Sequence, residues 1–358
     1  MATIAESAGN REALPAPARS ASTLESLSLG LGAISFVVVA LVALVTFRFE
    51  GTPIAGPGSV GQFAAIGAGV VAALAFAAGR YIVREHSGST KRITLLDIAD
   101  VAALAFAHAV IALLGWTLLA DILDESFLGA TVYPLPVLLL SGAVAAVTAY
   151  VCFFSATHMD LSLLATVLAV FLVFGVLASM LTASDPRWWE DNLSALGMTD
   201  DLSAMAFNLT LIVAGFIVTI LVRYATASAV IRRAPGIRWV RTLLVTVGVF
   251  LGCVGVFPVD DFFALHNTVA TGMAVGFVVL VIGMRWWIPR MPRGFLLTGY
   301  AFVAVVVLVA IYFATGYYTL TAVELVAGVL VFSWIILFIR AASALEEDDE
   351  TAATGERS

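Results

Sequence analysis

The sequence predicts an all-α polytopic membrane bundle of about ten transmembrane helices, and three observations carry that expectation. Hydrophobic residues make up 61% of the 358-residue chain and charged residues only 12%, a balance foreign to a water-soluble domain of this size. Several apolar runs reach the roughly 18 to 20 residues that a helix needs to cross about 30 Å of hydrocarbon. The alternation of apolar and polar positions that marks an outer-membrane barrel is missing.

The spans follow one another with short polar interruptions. The first covers about 29–47, and a Gly- and Pro-containing loop, 48–59, leads to the second at about 63–78. A basic connection holding Arg80, Arg84, Lys91 and Arg92 precedes the third, about 93–120, which carries Asp97, Asp100 and His108 and ends in an acidic loop. Asp97 and His108 are close to three helical turns apart and share a face. The fourth span begins near Pro134 or Pro136 and ends near Ser155, and the fifth covers about 161–181. The stretch 184–204 is the longest polar connection between spans, with Trp188 and Trp189 suited to a membrane interface. The sixth span covers about 205–222, the seventh 242–256, the eighth 267–284, the ninth 294–314 and the tenth 319–339.

Charge sets the orientation. Arg223, Arg232, Arg233, Arg238 and Arg241 crowd one connection, and Arg285, Arg290 and Arg293 another. With ten spans and both termini cytoplasmic, only Arg48 and Arg187 of the 18 basic residues fall outside. Adding or deleting one span would carry an arginine-rich loop to the outer face. The same retention, with contacts to anionic lipids, accounts for the Arg223–Arg241 stretch without nucleic acid as a partner. The net charge of -7 owes much to Glu346, Glu347, Asp348, Asp349 and Glu350, a solvated terminus.

Four parts are expected: a disordered cytoplasmic tail over 1–26, a four-span membrane part over 27–160, a six-span domain over 161–340 and an acidic disordered cytoplasmic tail over 341–358. The first apolar run has no small-residue cleavage site after it and reads as a retained span. Cys152 and Cys253 fall in apolar runs near opposite faces, which disfavours a disulfide. The alanines of the second to fourth spans, Ala72, Ala73, Ala75, Ala77 and Ala78 among them, suit close helix packing.

Chemistry, if present, belongs where polar residues interrupt apolar runs. The stretch Gly252–Gly272 brings Pro258, Asp260, Asp261 and His266 to the membrane level of Asp191, Asn192 and Ser194. A Ser, His and Asp set is the material of a nucleophilic hydrolase, and His with carboxylates that of a metal site. No GxSxG elbow or HExxH pattern supports either, and no metal or cofactor is expected. The competing structural reading has Pro258 and Gly255 shaping a helix end, Asp260 or Asp261 capping the next helix, and His266 bonding across to the Ser194 loop. Glu324 lies about five residues into the tenth span, where a carboxylate needs a partner such as Thr321 or Asn208, or a wet cavity. Asp97, Asp100 and His108 offer a proton relay, against which stands pairing with Arg92 or helix capping for the aspartates, and simple packing for His108.

Ser194, Leu196, Gly197, Asn208, Gly255, Phe257, Pro258, Asp261 and His266 together resemble the domain-of-unknown-function 998 family of multi-pass membrane proteins. The resemblance spans roughly 162–340, with the first four spans as an extension like that of longer actinobacterial members; proteins of the Frag, DRAM and Sfk type are a more distant likeness. Val259 stands where the family leads one to expect an acidic or polar residue. The resemblance implies a fold and a location, and no reaction.

These readings combine into an expected plasma-membrane protein that binds, senses or moves a lipid or small amphiphile through an outer-facing polar pocket, with membrane lipids as its partners. Asp260, Asp261 and His266 would line the pocket, Ser194 and Asn208 orient it, and Glu324 close its floor. Two alternatives stand beside it: an intramembrane lipid-headgroup hydrolase using His266 with Asp260 or Asp261 and Ser194 or a water as nucleophile, and a proton-coupled transporter using Glu324 and His108. The balance of the residues is against an enzyme.

Overall fold

The computed structural model describes residues 21–86, 93–198, 200–226 and 234–355. Among them ten helices are long and apolar enough to cross a membrane. They are α1 (Ala21–Phe47), α2 (Val60–His86), α3 (Leu95–Ser126), α4 (Pro134–Thr157), α5 (Leu161–Thr182), α6 (Leu202–Ala225), α7 (Ile237–Val256), α8 (Phe263–Trp287), α9 (Arg293–Ala314) and α10 (Leu320–Gly355). Each expected span has its helix, and the protein is a multi-pass helical membrane protein. Lys91, Arg92, Arg232, Arg233 and most of the amino-terminal tail lie outside the described residues.

Local chemistry starts and stops these helices. Thr94 and Asp97 form a reciprocal capping box at α3, Pro134 occupies the first turn of α4, and the Asp160 and Asp201 side chains accept from Leu163 N and Ala204 N at the starts of α5 and α6. The turn after α9 is a Schellman motif. Gly316 adopts φ 75°, its N–H reaches Phe313 O at 2.9 Å, and Tyr317 N reaches Tyr312 O at 2.9 Å. The Tyr312 and Tyr317 rings, 5.4 Å apart, supply the apolar contact that accompanies such a stop.

Consecutive helices alternate in direction, so the connections gather at two ends. One end carries 48–59, 127–133, 183–201, 257–262 and 315–319; a two-stranded antiparallel ladder pairs β1 (Thr52–Pro53) with β2 (Thr131–Val132) there. The other end carries the arginine-rich connections. Two arginines there meet helix carboxyl ends, where free carbonyls and the helix dipole favour a cation: Arg80 donates to Ala156 O at 3.3 Å, and Arg241 to Thr226 Oγ1 at 2.9 Å and Thr226 O at 3.1 Å.

Helix α2 is wedged between α3 and α4, and its small residues make that possible. Ala68, Ala72 and Ala75 are buried, and Gly79 sits against Ala156 and the Phe153 carbonyl. Longer side chains of α3 reach past α2 to α4: His108 Nε2 lies 2.9 Å from Ser155 Oγ, and Trp116 Nε1 donates to Thr148 Oγ1 at 2.9 Å. Phe76 of α2 stacks on His108 with centroids 4.4 Å apart. The four amino-terminal helices pack on one another and dock through α3 onto α5 and α6.

In the six-helix part, α6 and α7 meet backbone to backbone. A Cβ on Gly215 would fall 2.4 Å from Gly248 O and 2.6 Å from Gly252 N, so only glycine fits. Gly215→Val is therefore expected to push the pair apart and lower stability by about 1 to 3 kcal/mol. Unfolding in mixed micelles checks this, and an unchanged midpoint would contradict the close approach.

Two stretches depart from expectation. Helix α1 begins at Ala21, inside the expected disordered tail. Helix α10 runs without a break to Gly355, so the backbone of the acidic terminus is helical instead of disordered. Ala and Glu dominate that stretch and are strong helix formers, and an already formed span provides the costly nucleus from which the helix propagates.

Candidate functional site

The connection between α5 and α6 folds back onto the end of the bundle as two short 3-10 turns, Trp188–Glu190 and Leu193–Gly197. Leu196 drives it there. Its side chain is 2% exposed and joins the hydrophobic core, leaving the flanking polar groups pressed against helix ends.

Three helices hold the segment in place. From α8, His266 Nε2 lies 3.1 Å from Ser194 Oγ. From α10, the Glu324 carboxylate accepts from Leu193 N, and Thr321 Oγ1 donates to Trp189 O at 2.8 Å. From α6, Asn208 Nδ2 donates to Gly197 O at 3.1 Å. A Cβ on Gly197 would come within 2.5 Å of Asn208 Oδ1, which explains a glycine at this position. Beneath the segment, Ser203 Oγ donates to Ser179 O at 2.9 Å, and Ser184 bonds the Asp201 carboxylate.

Pro258 sets the environment of His266. The residue before a proline is pushed out of the helical region, so α7 ends at Val256 and Phe257 turns away from it. Carbonyls at a helix carboxyl end have no partner within the helix. His266 Nδ1 meets that of Phe257 at 2.7 Å. Because a carbonyl only accepts, Nδ1 carries the proton, Nε2 is the acceptor, and the Ser194 hydroxyl donates to it. The ring is 4% exposed.

His266, Ser194, Asn208 and Glu324 thus converge on one loop. Asp260 and Asp261 do not. Both are exposed in the turn before α8, whose cap position is Phe262 without a side-chain hydrogen bond. The turn closes instead through Phe262 N to Pro258 O at 3.0 Å and the Phe257–Phe262 ring contact at 5.5 Å, so neither aspartate is the cap. Glu324 bonds a backbone N–H in place of the anticipated side chains of Thr321 or Asn208; no pattern of side chains in a sequence announces such a partner.

The relay residues are separated. Asp97 belongs to the capping box and lies 3.9 Å from Arg84, Asp100 pairs with Arg223 of α6, and His108 is held by Leu104 O at 2.7 Å and Ser155. His108 and Glu324 share no hydrogen bond. Cys152 and Cys253 are both free, and among the described residues no group of three His, Cys, Asp or Glu side chains is placed to hold a metal.

Two features at this end bear on a ligand. The Asn192 Oδ1 atom, next to Leu193, is buried without a hydrogen-bond partner. A shallow groove of about 500 Å³ runs along the start of α6 beside Asp200, Asp201, Leu202, Ala204, Met205 and Asn208. Asn208 lines the groove and also holds Gly197.

Comparison with known proteins finds one family. The description "protein of unknown function (DUF998)" matches residues 163–341, from the start of α5 into α10. No curated protein and no solved structure matches the chain.

Proposed function

This chain belongs to the DUF998 family, and on that premise we propose that it binds the polar headgroup of a lipid or small amphiphile at the 184–201 connection. Its arginine-bearing connections and both termini lie in the cytoplasm, the 184–201 connection faces outward, and the membrane is the plasma membrane. The distribution of basic residues supports this orientation. Reporter fusions at residue 358 and at Asp261 test it: a periplasmic or extracellular signal from the first would overturn the assignment.

One observation carries the binding reading. The buried Asn192 Oδ1 lacks a donor, and leaving such an acceptor unpaired costs about 1 to 3 kcal/mol. A hydroxyl or ammonium group entering beside Ser194 would supply the bond. Asn192 is followed directly by Leu193, which bonds Glu324, and by Ser194, which bonds His266, while the groove along α6 offers apolar contact to a chain through Leu202, Ala204 and Met205. Asp260 and Asp261, exposed at the same end, meet the aqueous part of the headgroup region.

The test is native mass spectrometry of the protein released from nanodiscs of phosphatidylethanolamine and phosphatidylglycerol. The wild type is expected to retain lipid, and Asn192→Leu, which removes the acceptor, to retain it about tenfold less, the equivalent of about 1.4 kcal/mol. Equal retention by the two proteins would sink the reading.

A further inference from the structure

We propose that Ser194 is a nucleophile with His266 as its general base, and that the chain hydrolyses an ester bond in the amphiphile it binds. The proposal rests on the headgroup-binding reading above and adds a reaction to it.

The geometry meets the first requirement for such a pair, a hydroxyl within hydrogen-bond reach of an imidazole acceptor, at 3.1 Å. It also meets the second, a group that fixes the base. Nδ1 is tied to Phe257 O at 2.7 Å, which holds Nε2 as the acceptor facing Ser194. In the expected hydrolase a carboxylate of Asp260 or Asp261 had this orienting role. The Phe257 carbonyl takes it instead, made available because Pro258 ends α7 one residue earlier.

A second buried pair in the molecule provides a contrast. His108 and Ser155 approach to 2.9 Å, with His108 Nδ1 on the carbonyl of Leu104 in its own helix. Both residues lie within long helices, and Phe76 covers the imidazole. This pair joins helices α3 and α4. Ser194 instead sits in a 3-10 turn at the polar end of the bundle, two residues after Asn192, whose Oδ1 is unpartnered. The hydrogen bond and the burial are similar in the two pairs, with Ser194 9% and His266 4% exposed against 7% for both Ser155 and His108; what differs is that Ser194 lies in a connection between helices and Ser155 within a helix.

In the reaction, the Ser194 hydroxyl gives its proton to His266 Nε2 as Oγ forms a bond to the ester carbonyl carbon. The carbon–oxygen bond to the alcohol part breaks, and that oxygen takes the proton from Nε2. Water then loses a proton to Nε2 and attacks the acyl group on Ser194. The carboxylic acid departs, and Oγ recovers the proton. One ester and one water become one acid and one alcohol. A backbone carbonyl behind the histidine supplies orientation but no formal charge to the imidazolium, so a slow hydrolase is expected.

The experiment treats the full chain in nanodiscs with a fluorophosphonate probe, followed by intact mass and peptide mapping. A single adduct on Ser194 is expected, absent in Ser194→Ala. His266→Gln keeps a donor for Phe257 O and an acceptor for Ser194, so it should fold while losing the base. Its labelling rate is expected to fall by about 100-fold or more with little change in melting temperature. An unlabelled wild type, an adduct elsewhere, or equal labelling of His266→Gln overturns the proposal. Lipid retention in native mass spectra is read separately, so retained lipid without labelling rejects hydrolysis and leaves binding standing.

Discussion

Arg223→Ala is expected to lower stability by about 3 kcal/mol, whereas Asp100→Ala should cost about 1 kcal/mol. The two residues form one ion pair between α3 and α6, but their surroundings differ. Asp100 is 7% exposed, packed where the four amino-terminal helices dock onto the six-helix part. The Arg223 side chain is 43% exposed and lies in the last turn of α6, so it can turn to water or lipid phosphate when its partner is lost. Removing the arginine strands a carboxylate in a site with little water; removing the aspartate strands nothing. The double variant Asp100→Leu with Arg223→Leu should recover most of the loss, because replacing both partners avoids the uncompensated charge. Equilibrium unfolding in mixed micelles measures all three, and equal losses for the two single alanine variants would contradict the asymmetry.

Trp334→Ala is expected to cost on the order of 2 kcal/mol and to loosen α9 in particular. Trp334 is 1% exposed and gathers Phe277, Phe295 and Phe338 with centroids 5.2 to 5.8 Å away. Helix α9 packs on only α8 and α10 among its substantial neighbours, and most of its length faces outward. It comes close to α10 at Gly299, where a Cβ would lie 2.8 Å from Trp334 Nε1. The figure is below the roughly 3 to 5 kcal/mol of a water-soluble core, because lipid tails solvate an apolar side chain nearly as well as protein does, and packing is the main loss. Hydrogen exchange should rise in Arg293–Ala314 well before it rises in α6 or α7. Uniform exchange across the bundle would show that Trp334 does not tie α9 separately.

Much of this architecture was legible in the residues. The spans were, since about 20 consecutive apolar residues have few other uses. So was the contact between His266 and the Ser194 loop, because two polar interruptions at one membrane level have few other partners. The capping role of Asp97 was legible as well, from its place in the first turn of α3. Other features were not. Asp100 finds its partner 123 residues away, and Glu324 finds a backbone N–H, a group that every residue but proline carries. The carbonyl that orients His266 became available through a proline effect on its neighbour, although Asp260 and Asp261 looked like the better candidates from composition alone.

The sequence by itself determined the number of spans and the charge difference between the two ends, because hydropathy and charge add along a chain and a bilayer reads them locally. Only the tertiary structure decided which polar groups meet. That depends on how far each helix is turned about its axis and how closely it approaches its neighbours. Both were set by shape, by Gly215 against Gly248, by Gly79 against Ala156 and by Leu196 drawn into the core.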